Sequence, residues 1–279
     1  MKLGIWRRIA QILGLILPNS YFQVFLKDGS IYQGKAKGIV PPILNCYATP
    51  TAYTSCPVGS IQHFMKIHAF PAFLVGILGI VGVVIGRITC GWICPFGFIQ
   101  DLLHKIPTPK WHMPKFFRYF KYVILLAMVI VLPYFFMDTY FCQACPAGGL
   151  TGGVTQVIIN PPLRELLGAL FIRKMIILAL TIFFVIFISR FFCRAFCPLG
   201  AILGLFNGFS LFSLQLNEDS CIHCSACAKV CPVEIDPVKT PNSPECLRCM
   251  KCVEKCPTSA LSFKPSVIKN VPETGPETS

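Results

Sequence analysis

The sequence predicts a mainly α-helical membrane protein, with four transmembrane helices arranged as two repeated hairpins and a small C-terminal α+β domain. The 279 residues are 54% apolar and 13% charged, with a mean hydropathy of +0.64, whereas soluble chains carry about 25% charged residues. Four long apolar runs precede residue 190, and eight of the sixteen cysteines follow residue 216. A water-soluble globule, a disordered chain and a small secreted disulfide scaffold are therefore excluded.

The four apolar runs cover residues 9–26, 69–86, 122–137 and 175–189, and none contains a charged residue. The first two reach the roughly 18 to 20 residues that a bilayer helix needs, and the last two are shorter. Pro18 is expected to kink the first helix, because it removes a backbone hydrogen bond. The third helix is expected to extend to Phe141. The fourth is expected to include Phe171 and Ile172 at its start, Phe191 and Phe192 at its end, and a snorkelling Arg190.

The distribution of basic residues predicts the orientation in a cytoplasmic (inner) membrane. The formal net charge is +13. The N-terminal tail, the loop between the second and third runs and the segment after the fourth hold 11 Lys and Arg residues, against 7 in the other two loops. Basic loops favour the cytoplasmic side, so both termini are expected in the cytoplasm. Beside apolar spans, this charge indicates contact with membrane lipid rather than with nucleic acid.

The membrane part contains an internal repeat. Residues 87–97 align with residues 190–200 at an offset of 103, matching the Arg, both Cys, the Pro and the Gly of two C-x-x-x-C-P motifs. Earlier in each half, residues 46–50 align with 142–146. Thr49 then occupies a position where the second half has a cysteine, and Cys56 follows as a substitute. Internal duplication of this kind places functional groups at the interface between the halves.

The C-terminal cysteines form the strongest motif of the chain. Two C-x-x-C-x-x-C-x-x-x-C-P runs follow each other, which is the bacterial spacing for two [4Fe–4S] clusters whose fourth cysteine binds the other cluster. The first set of ligands is Cys221, Cys224, Cys227 and Cys256, and the second set is Cys246, Cys249, Cys252 and Cys231. Zinc sites use paired C-x-x-C units, and cytoplasmic thiols stay reduced, so zinc and disulfides are disfavoured.

These motifs divide the chain into three predicted parts. Residues 1–215 form the transmembrane domain, residues 216–264 form a compact ferredoxin domain with two [4Fe–4S] clusters, and residues 265–279 form a flexible tail.

The remaining eight cysteines form two groups. The inner quartet, at matching helix ends, can hold a third cluster, form redox-active dithiols or serve as structural cysteines; it consists of Cys90, Cys94, Cys193 and Cys197. Arg87 and Arg190, three residues before its cysteine pairs, would balance the charge of a cluster. The outer quartet predicts either a fourth cluster or two disulfides, since its loops are expected outside the cytoplasm; it consists of Cys46, Cys56, Cys142 and Cys145. All sixteen cysteines would bind metal through iron.

The two C-x-x-x-C-P motifs and the double ferredoxin run resemble the NapH/MauN family of membrane ferredoxin-type proteins over most of the chain. The resemblance implies a quinol dehydrogenase ferredoxin subunit. Such a subunit passes electrons between the quinone pool and a membrane-anchored or periplasmic oxidoreductase or cytochrome. Quinone is thus a cofactor that the resemblance adds. A self-sufficient quinol dehydrogenase, and a redox sensor or assembly factor that uses the C-x-x-x-C-P thiols, are the alternatives. Nothing in the sequence designates a catalytic residue.

Overall fold

The protein is described by a computed structural model over residues 2–25 and 31–265. It is mainly helical, and its helices carry one small sheet near the C-terminus. The α-helices are Lys2–Ile16, Pro57–Lys66, Ala72–Ile85, Ile88–Trp92, Pro95–Leu103, Phe117–Ile124, Leu132–Phe136, Tyr140–Ala144, Pro146–Gly148, Thr155–Ile159, Ala169–Phe187, Phe191–Ala195, Pro198–Leu205, Ala226–Lys229 and Lys251–Lys255.

Short helical segments of other types join these elements. The π-helical segments are Leu125–Val131 and Gly149–Val154. The 3₁₀ segments are Leu17–Asn19, Phe22–Phe25, Lys35–Gly38, Pro161–Leu166 and Phe206–Gly208. The flexible tail predicted for residues 265–279 lies, apart from Pro265, outside the described residues.

Two helices in the described part of the chain are long and apolar enough to cross a membrane, Phe117–Phe136 and Ala169–Phe187. Their outward faces carry exposed large apolar side chains, including Leu126, Phe135 and Ile176. An apolar surface of this extent is typical of contact with lipid or with another protein. The first of these helices contains the π-helical segment in its middle.

The other two predicted spans are shorter than expected. The first α-helix begins at Lys2 and already ends at Ile16. Pro18 therefore does not kink a continuing α-helix but lies in a 3₁₀ turn that closes it. The second helix, Ala72–Ile85, has 14 residues and a length of about 21 Å at 1.5 Å per residue.

The expected extensions of the last two spans are partly wrong. The third helix begins earlier than the apolar run, at Phe117, and it ends at Phe136 instead of continuing to Phe141. The fourth does include Phe171 and Ile172, but it ends at Phe187, before Phe191 and Phe192. Arg190 does not snorkel: its side chain is 1% exposed, because a buried carboxylate binds it, as described below.

One structural unit occurs three times. A long apolar helix is followed within three residues by a residue with positive φ, which is Gly86 (56°), Met137 (53°) or Arg190 (53°). A five-residue helix follows with a cysteine at its third position, and then comes a Cys-Pro pair whose proline begins the next helix. The repeat predicted for the C-x-x-x-C-P motifs thus includes the segment around Cys142 and Cys145 as well.

The C-terminal part is an α+β unit. Strand β1 (Phe212–Leu216) pairs antiparallel with β2 (Leu261–Pro265), so the first and last segments of this unit lie side by side. The first strand begins four residues before the predicted boundary at residue 216. The unit packs on the helical part: a Cβ atom built on Gly4 of the first helix would lie 3.3 Å from the Glu254 carboxylate.

Candidate metal centres

The eight C-terminal cysteines line two separate cavities. One cavity is lined by the second predicted set, Cys231, Cys246, Cys249 and Cys252. The other cavity is lined by the first set, Cys221, Cys224, Cys227 and Cys256. Each cavity is thus lined by the first three cysteines of one run and by the last cysteine of the other run. We call the cavity lined by Cys221, Cys224, Cys227 and Cys256 cavity one, and the other cavity two, after the predicted clusters.

Both cysteine loops have the same backbone conformation. In the first loop His223 and Ser225 have positive φ, and in the second loop Arg248 and Met250 do, at equivalent positions between and after the cysteines. Non-glycine residues adopt positive φ rarely. Because positive φ recurs at the same positions, both loops curl around their cavities in the same way. Each loop thereby directs three cysteine side chains into its cavity.

Main-chain amides also contact the sulfurs of these loops. Arg248 donates its backbone N–H to Cys246 Sγ at 3.4 Å, and the amides of Val233, Glu234 and Ile235 lie close enough to the Cys231 sulfur to act on it. Burial raises the pKa of Cys246 to about 11, so an unliganded thiol stays protonated at neutral pH. Metal binding at this site must therefore displace a proton.

The cysteines are not arranged for a single ion. In the described parts of the chain, no three His, Cys, Asp or Glu side chains converge where one metal ion could bind. A Zn²⁺ ion needs four ligands at about 2.0–2.3 Å. The four cysteines of a [4Fe–4S] cluster each bind a different iron atom. Such cysteines therefore surround a cavity instead of converging on one metal ion. All sixteen cysteines are described, and all are free thiols.

The inner quartet lies in the core of the helical part. Its four cysteines are at most 7% exposed, and every pair among them is close enough to interact electrostatically. The two arginines predicted to accompany it are fully buried and exchange contacts between the halves. Arg87 Nη2 donates to the carbonyl of Cys193 at 2.7 Å, and Arg190 Nη1 donates to the carbonyl of Cys90 at 2.9 Å.

Two buried donors next to the inner quartet have no partner in the described part of the chain. Arg87 Nε and Thr89 Oγ1 are buried and have no hydrogen-bond partner among the described residues, although the Arg87 charge acts on three of the quartet's thiols. Buried donors without partners are costly. A polyanionic group bound between these cysteines would satisfy such donors and balance the charge, so the residues present fit a cluster.

Cavity two lies directly against the inner quartet. A Cβ atom built on Gly91, the neighbour of Cys90, would lie 2.5 Å from the carbonyl of Leu247 and 3.4 Å from Cys249 Cβ. Trp92 donates its indole N–H to the carbonyl of Arg248 at 3.1 Å. The absence of a side chain at Gly91 is thus what lets the second cysteine loop approach the helix that carries Cys90.

The outer quartet is assembled in the same manner. Every pair among its four thiols is within electrostatic range. Cys56, rather than a residue at position 49, precedes the helix-starting proline, as Cys94, Cys145 and Cys197 do. Thr49 instead donates to Thr151 Oγ1 at 2.9 Å. The fold therefore brings Cys56, the substitute suggested by the sequence, to the outer quartet.

Two buried glutamines contact the quartets, and neither was predicted from the sequence. Gln100 Nε2 donates to Cys193 Sγ at 3.1 Å, and Gln62 Nε2 donates to Cys142 Sγ at 3.2 Å. A signal was present, because C-P-x-G-x-I-Q occurs at 56–62 and again at 94–100. Their common role follows only from the packing of the halves.

Comparison with known proteins supports this chemistry. A family model described as a 4Fe-4S binding domain matches three times, at residues 67–114, 121–164 and 170–216. A second model, also described as a 4Fe-4S binding domain, matches residues 214–235. No solved structure matches the chain.

Three relatives indicate the family. An uncharacterized protein of Methanocaldococcus jannaschii is 32% identical over 76% of this chain and 87% of its own length. The ferredoxin-type protein NapH of Escherichia coli is 24% identical over 81% of this chain and 73% of its own. The methylamine utilization ferredoxin-type protein MauN of Paracoccus denitrificans is 28% identical over 58% and 53%. With its cysteine-lined cavities and matched 4Fe-4S segments, the chain belongs to the NapH/MauN family of ferredoxin-type electron-transport proteins.

Proposed function

We propose that this ferredoxin-type protein is a membrane-spanning subunit that carries electrons between the quinone pool or a cytoplasmic donor and an extracytoplasmic oxidoreductase or cytochrome. Iron–sulfur electron transfer is the function of its family. The direction across the membrane and the quinone connection are our proposal. They are supported by the resemblance to NapH and MauN and by the two long apolar helices.

The proposed ligands follow the cavities. Cys221, Cys224, Cys227 and Cys256 would hold a [4Fe–4S] cluster in cavity one, and Cys231, Cys246, Cys249 and Cys252 would hold another in cavity two. The inner quartet would hold a third. Each cluster would take up one electron from its donor side and release one to its acceptor side, with no bond made or broken.

The order of the sites supports a path. Cavity one is the accessible end, since Cys224 is exposed and its neighbour Ile222 is 63% exposed. A donor could therefore approach here. Cavity two lies between this end and the inner quartet, where Gly91 meets the second cysteine loop. That contact is the observation on which the proposed function rests.

Four transmembrane segments with both termini in the cytoplasm remain our proposal for the topology. The first helix begins beside the ferredoxin unit, because Gly4 faces Glu254. The N-terminal helix and the C-terminal unit thus meet on the same side. The two shorter helices, Lys2–Ile16 and Ala72–Ile85, would complete the set of four together with their flanking segments.

Electron transfer across vesicles tests the proposal. The purified chain is placed in liposomes that enclose ferricyanide, and dithionite is added outside. Wild-type vesicles are expected to bleach the enclosed ferricyanide. Vesicles with Cys193→Ser and Cys197→Ser, whose inner quartet is broken, are expected to bleach it at the rate of empty vesicles.

Equal bleaching by wild type and variant would contradict the proposal, and so would wild-type protein that is isolated anaerobically without iron. For the quinone connection, menaquinol is added to the isolated chain and the reduction of its centres is followed by low-temperature EPR. Centres that stay oxidised with menaquinol but are reduced by dithionite would remove the quinone from the proposal and leave the cytoplasmic donor.

A further inference from the structure

We propose that the outer quartet of Cys46, Cys56, Cys142 and Cys145 binds a fourth [4Fe–4S] cluster, built by the same architecture as the inner quartet and forming the outlet of the electron path. This inference rests on the proposed function for its role in electron transfer. The evidence for a cluster site does not depend on that function, because it comes from the geometry around the outer cysteines themselves.

The first line of support is a glycine amide that lies near the cysteine sulfur in all four C-P-x-G segments. The backbone N–H of each of these glycines acts electrostatically on the sulfur of the cysteine three residues before it, and Gly200 donates to Cys197 Sγ at 3.3 Å. Two of these segments belong to the inner quartet and two to the outer quartet. Donors of this kind favour sulfur that carries negative charge, so the outer cysteines share a feature of the inner site.

The buried glutamines supply the second line of support. Gln62 is 0% exposed and Gln100 is 1% exposed. Each accepts a hydrogen bond at Oε1 from the amide of the residue before a cysteine, Phe141 at 3.1 Å and Phe192 at 3.2 Å. These amides orient the side chains so that Nε2 faces the sulfur. The same arrangement of backbone amide, glutamine side chain and cysteine sulfur therefore occurs once at each quartet.

Space next to the outer sulfurs is kept free by glycine. A Cβ atom built on Gly148 would lie 3.1 Å from Cys46 Sγ, and one built on Gly59 would lie 3.4 Å from Cys142 Sγ. Gly148, three residues after Cys145, thus faces Cys46 of the first half, and Gly59, three residues after Cys56, faces Cys142 of the second half. In the inner quartet Gly97 and Gly200 face the opposite arginines in the same crossed way.

Positive charge accompanies the outer quartet as well. The ammonium group of Lys174 lies 3.6 Å from the Cβ position of Gly148, and its charge acts on Cys142 and Cys145. Lys37 acts on Cys46. Two lysines here thus stand in for the two arginines of the inner quartet.

The outer quartet is also connected to the inner one. The backbone amide of Leu44, two residues before Cys46, lies close enough to the Cys94 sulfur to act on it. Leu44, Cys94 and Cys145 belong to one continuous buried cluster of side chains. In addition, the matched segment 121–164, described as a 4Fe-4S binding domain, contains Cys142 and Cys145. Together these contacts extend the path from cavity two through the inner quartet to the outer quartet.

The decisive experiment counts iron in the full-length protein after anaerobic purification. Wild type is expected to hold about sixteen irons per chain, four for each of four clusters. The variant with Cys142→Ser and Cys145→Ser is expected to lose about a quarter of them. The matched variant with Cys193→Ser and Cys197→Ser loses the same amount, but a different centre disappears from the EPR-monitored redox titration.

Two results would overturn the inference. One is an outer variant that retains the wild-type iron content. The other is wild-type protein with about twelve irons and with outer cysteines that mass spectrometry finds joined in disulfides. Wild type with no iron at all would instead overturn the proposed function, so the two failures are distinguishable.

A second pair of variants preserves the cysteines, in case the serine variants do not fold. Gln62→Met removes the amide donor to Cys142 and is expected to lower the reduction potential of one centre at unchanged iron content, because lost N–H donors destabilise the reduced, more negative cluster. Gln100→Met is expected to lower that of another centre. An outer centre is ruled out if Gln62→Met leaves all potentials unchanged while Gln100→Met shifts one.

Discussion

Arg190 illustrates how single residues hold the site together. Its guanidinium makes two hydrogen bonds of 2.7 Å to the Asp101 carboxylate and a third to the carbonyl of Cys90. Burial alone would raise the pKa of Asp101, but the charge and hydrogen bonds of Arg190 hold that pKa below its usual value of 3.8. The pair therefore stays ionised at neutral pH and fixes the helix that carries Cys90.

Asp101→Asn is expected to destabilise the protein strongly, because it leaves a buried arginine without its counter-ion. Breaking such a pair costs about 3–5 kcal/mol. The measurement is the thermal unfolding of the detergent-solubilised protein, with the exposed Glu165→Gln as the control that leaves the midpoint unchanged. Since the folded-state pKa of Asp101 is lowered, its stabilising contribution is present above a pH of about 4 and is lost as the pH falls further. A midpoint equal to that of wild type would contradict this role of Asp101.

Arg87 should act on the reduction potential rather than on iron content. Its charge acts on Cys90, Cys193 and Cys197, and a nearby positive charge stabilises the reduced form of a centre. Arg87→Gln is expected to lower the potential of one centre in an EPR-monitored titration, while Arg87→Lys, which keeps the charge, lowers it less. Equal potentials in wild type and the Gln variant would show that Arg87 serves the fold alone.

At the scale of elements, the sequence predicted which segments are helical better than where they end. The four apolar runs all contain helix, but two of the long helices end just before Met137 and three residues before Arg190, residues that adopt positive φ. Local propensity does not favour that conformation in a bulky residue. At Arg190 the tertiary contact with Asp101 stabilises it, and such a contact between positions 89 residues apart cannot be seen in local patterns.

The junction between cavity two and the helix Ile88–Trp92 depends on Gly91. Gly91→Ala is expected to push the second cysteine loop away, because its Cβ would lie 2.5 Å from the Leu247 carbonyl. Iron content should stay at the wild-type level, while electron transfer to the inner quartet slows. Gly79→Ala is the matched control, since a Cβ there meets nothing within 4 Å. Stopped-flow reduction by dithionite measures the step, and equal rates for all three proteins would refute the role of Gly91.

Considering the whole molecule, the grouping of the cysteines followed largely from their spacing. The double ferredoxin run predicted which cysteine of each run joins the other set, and the two cavities have those linings. Membership of the family is confirmed by the comparisons, whereas cluster ligation stays a prediction. The glutamines Gln62 and Gln100 could not be assigned from sequence, because their partners lie 80 and 93 residues away.

The arrangement of the two ends predicts the protease sensitivity of the whole molecule in membranes. The ferredoxin unit exposes Lys229, Lys239 and Lys255, whereas the loop before the helix Ala169–Phe187 exposes Arg164. A 19-residue helix separates that loop from the inner cysteines, a distance of about 28 Å. Trypsin added to inverted vesicles is therefore expected to cut within the ferredoxin unit, and trypsin added to right-side-out vesicles is expected to cut at Arg164. Arg164→Gln should abolish only the second cleavage. Fragments from both regions in the same vesicle preparation, with the membranes intact, would contradict a ferredoxin unit on the cytoplasmic side and a loop on the other.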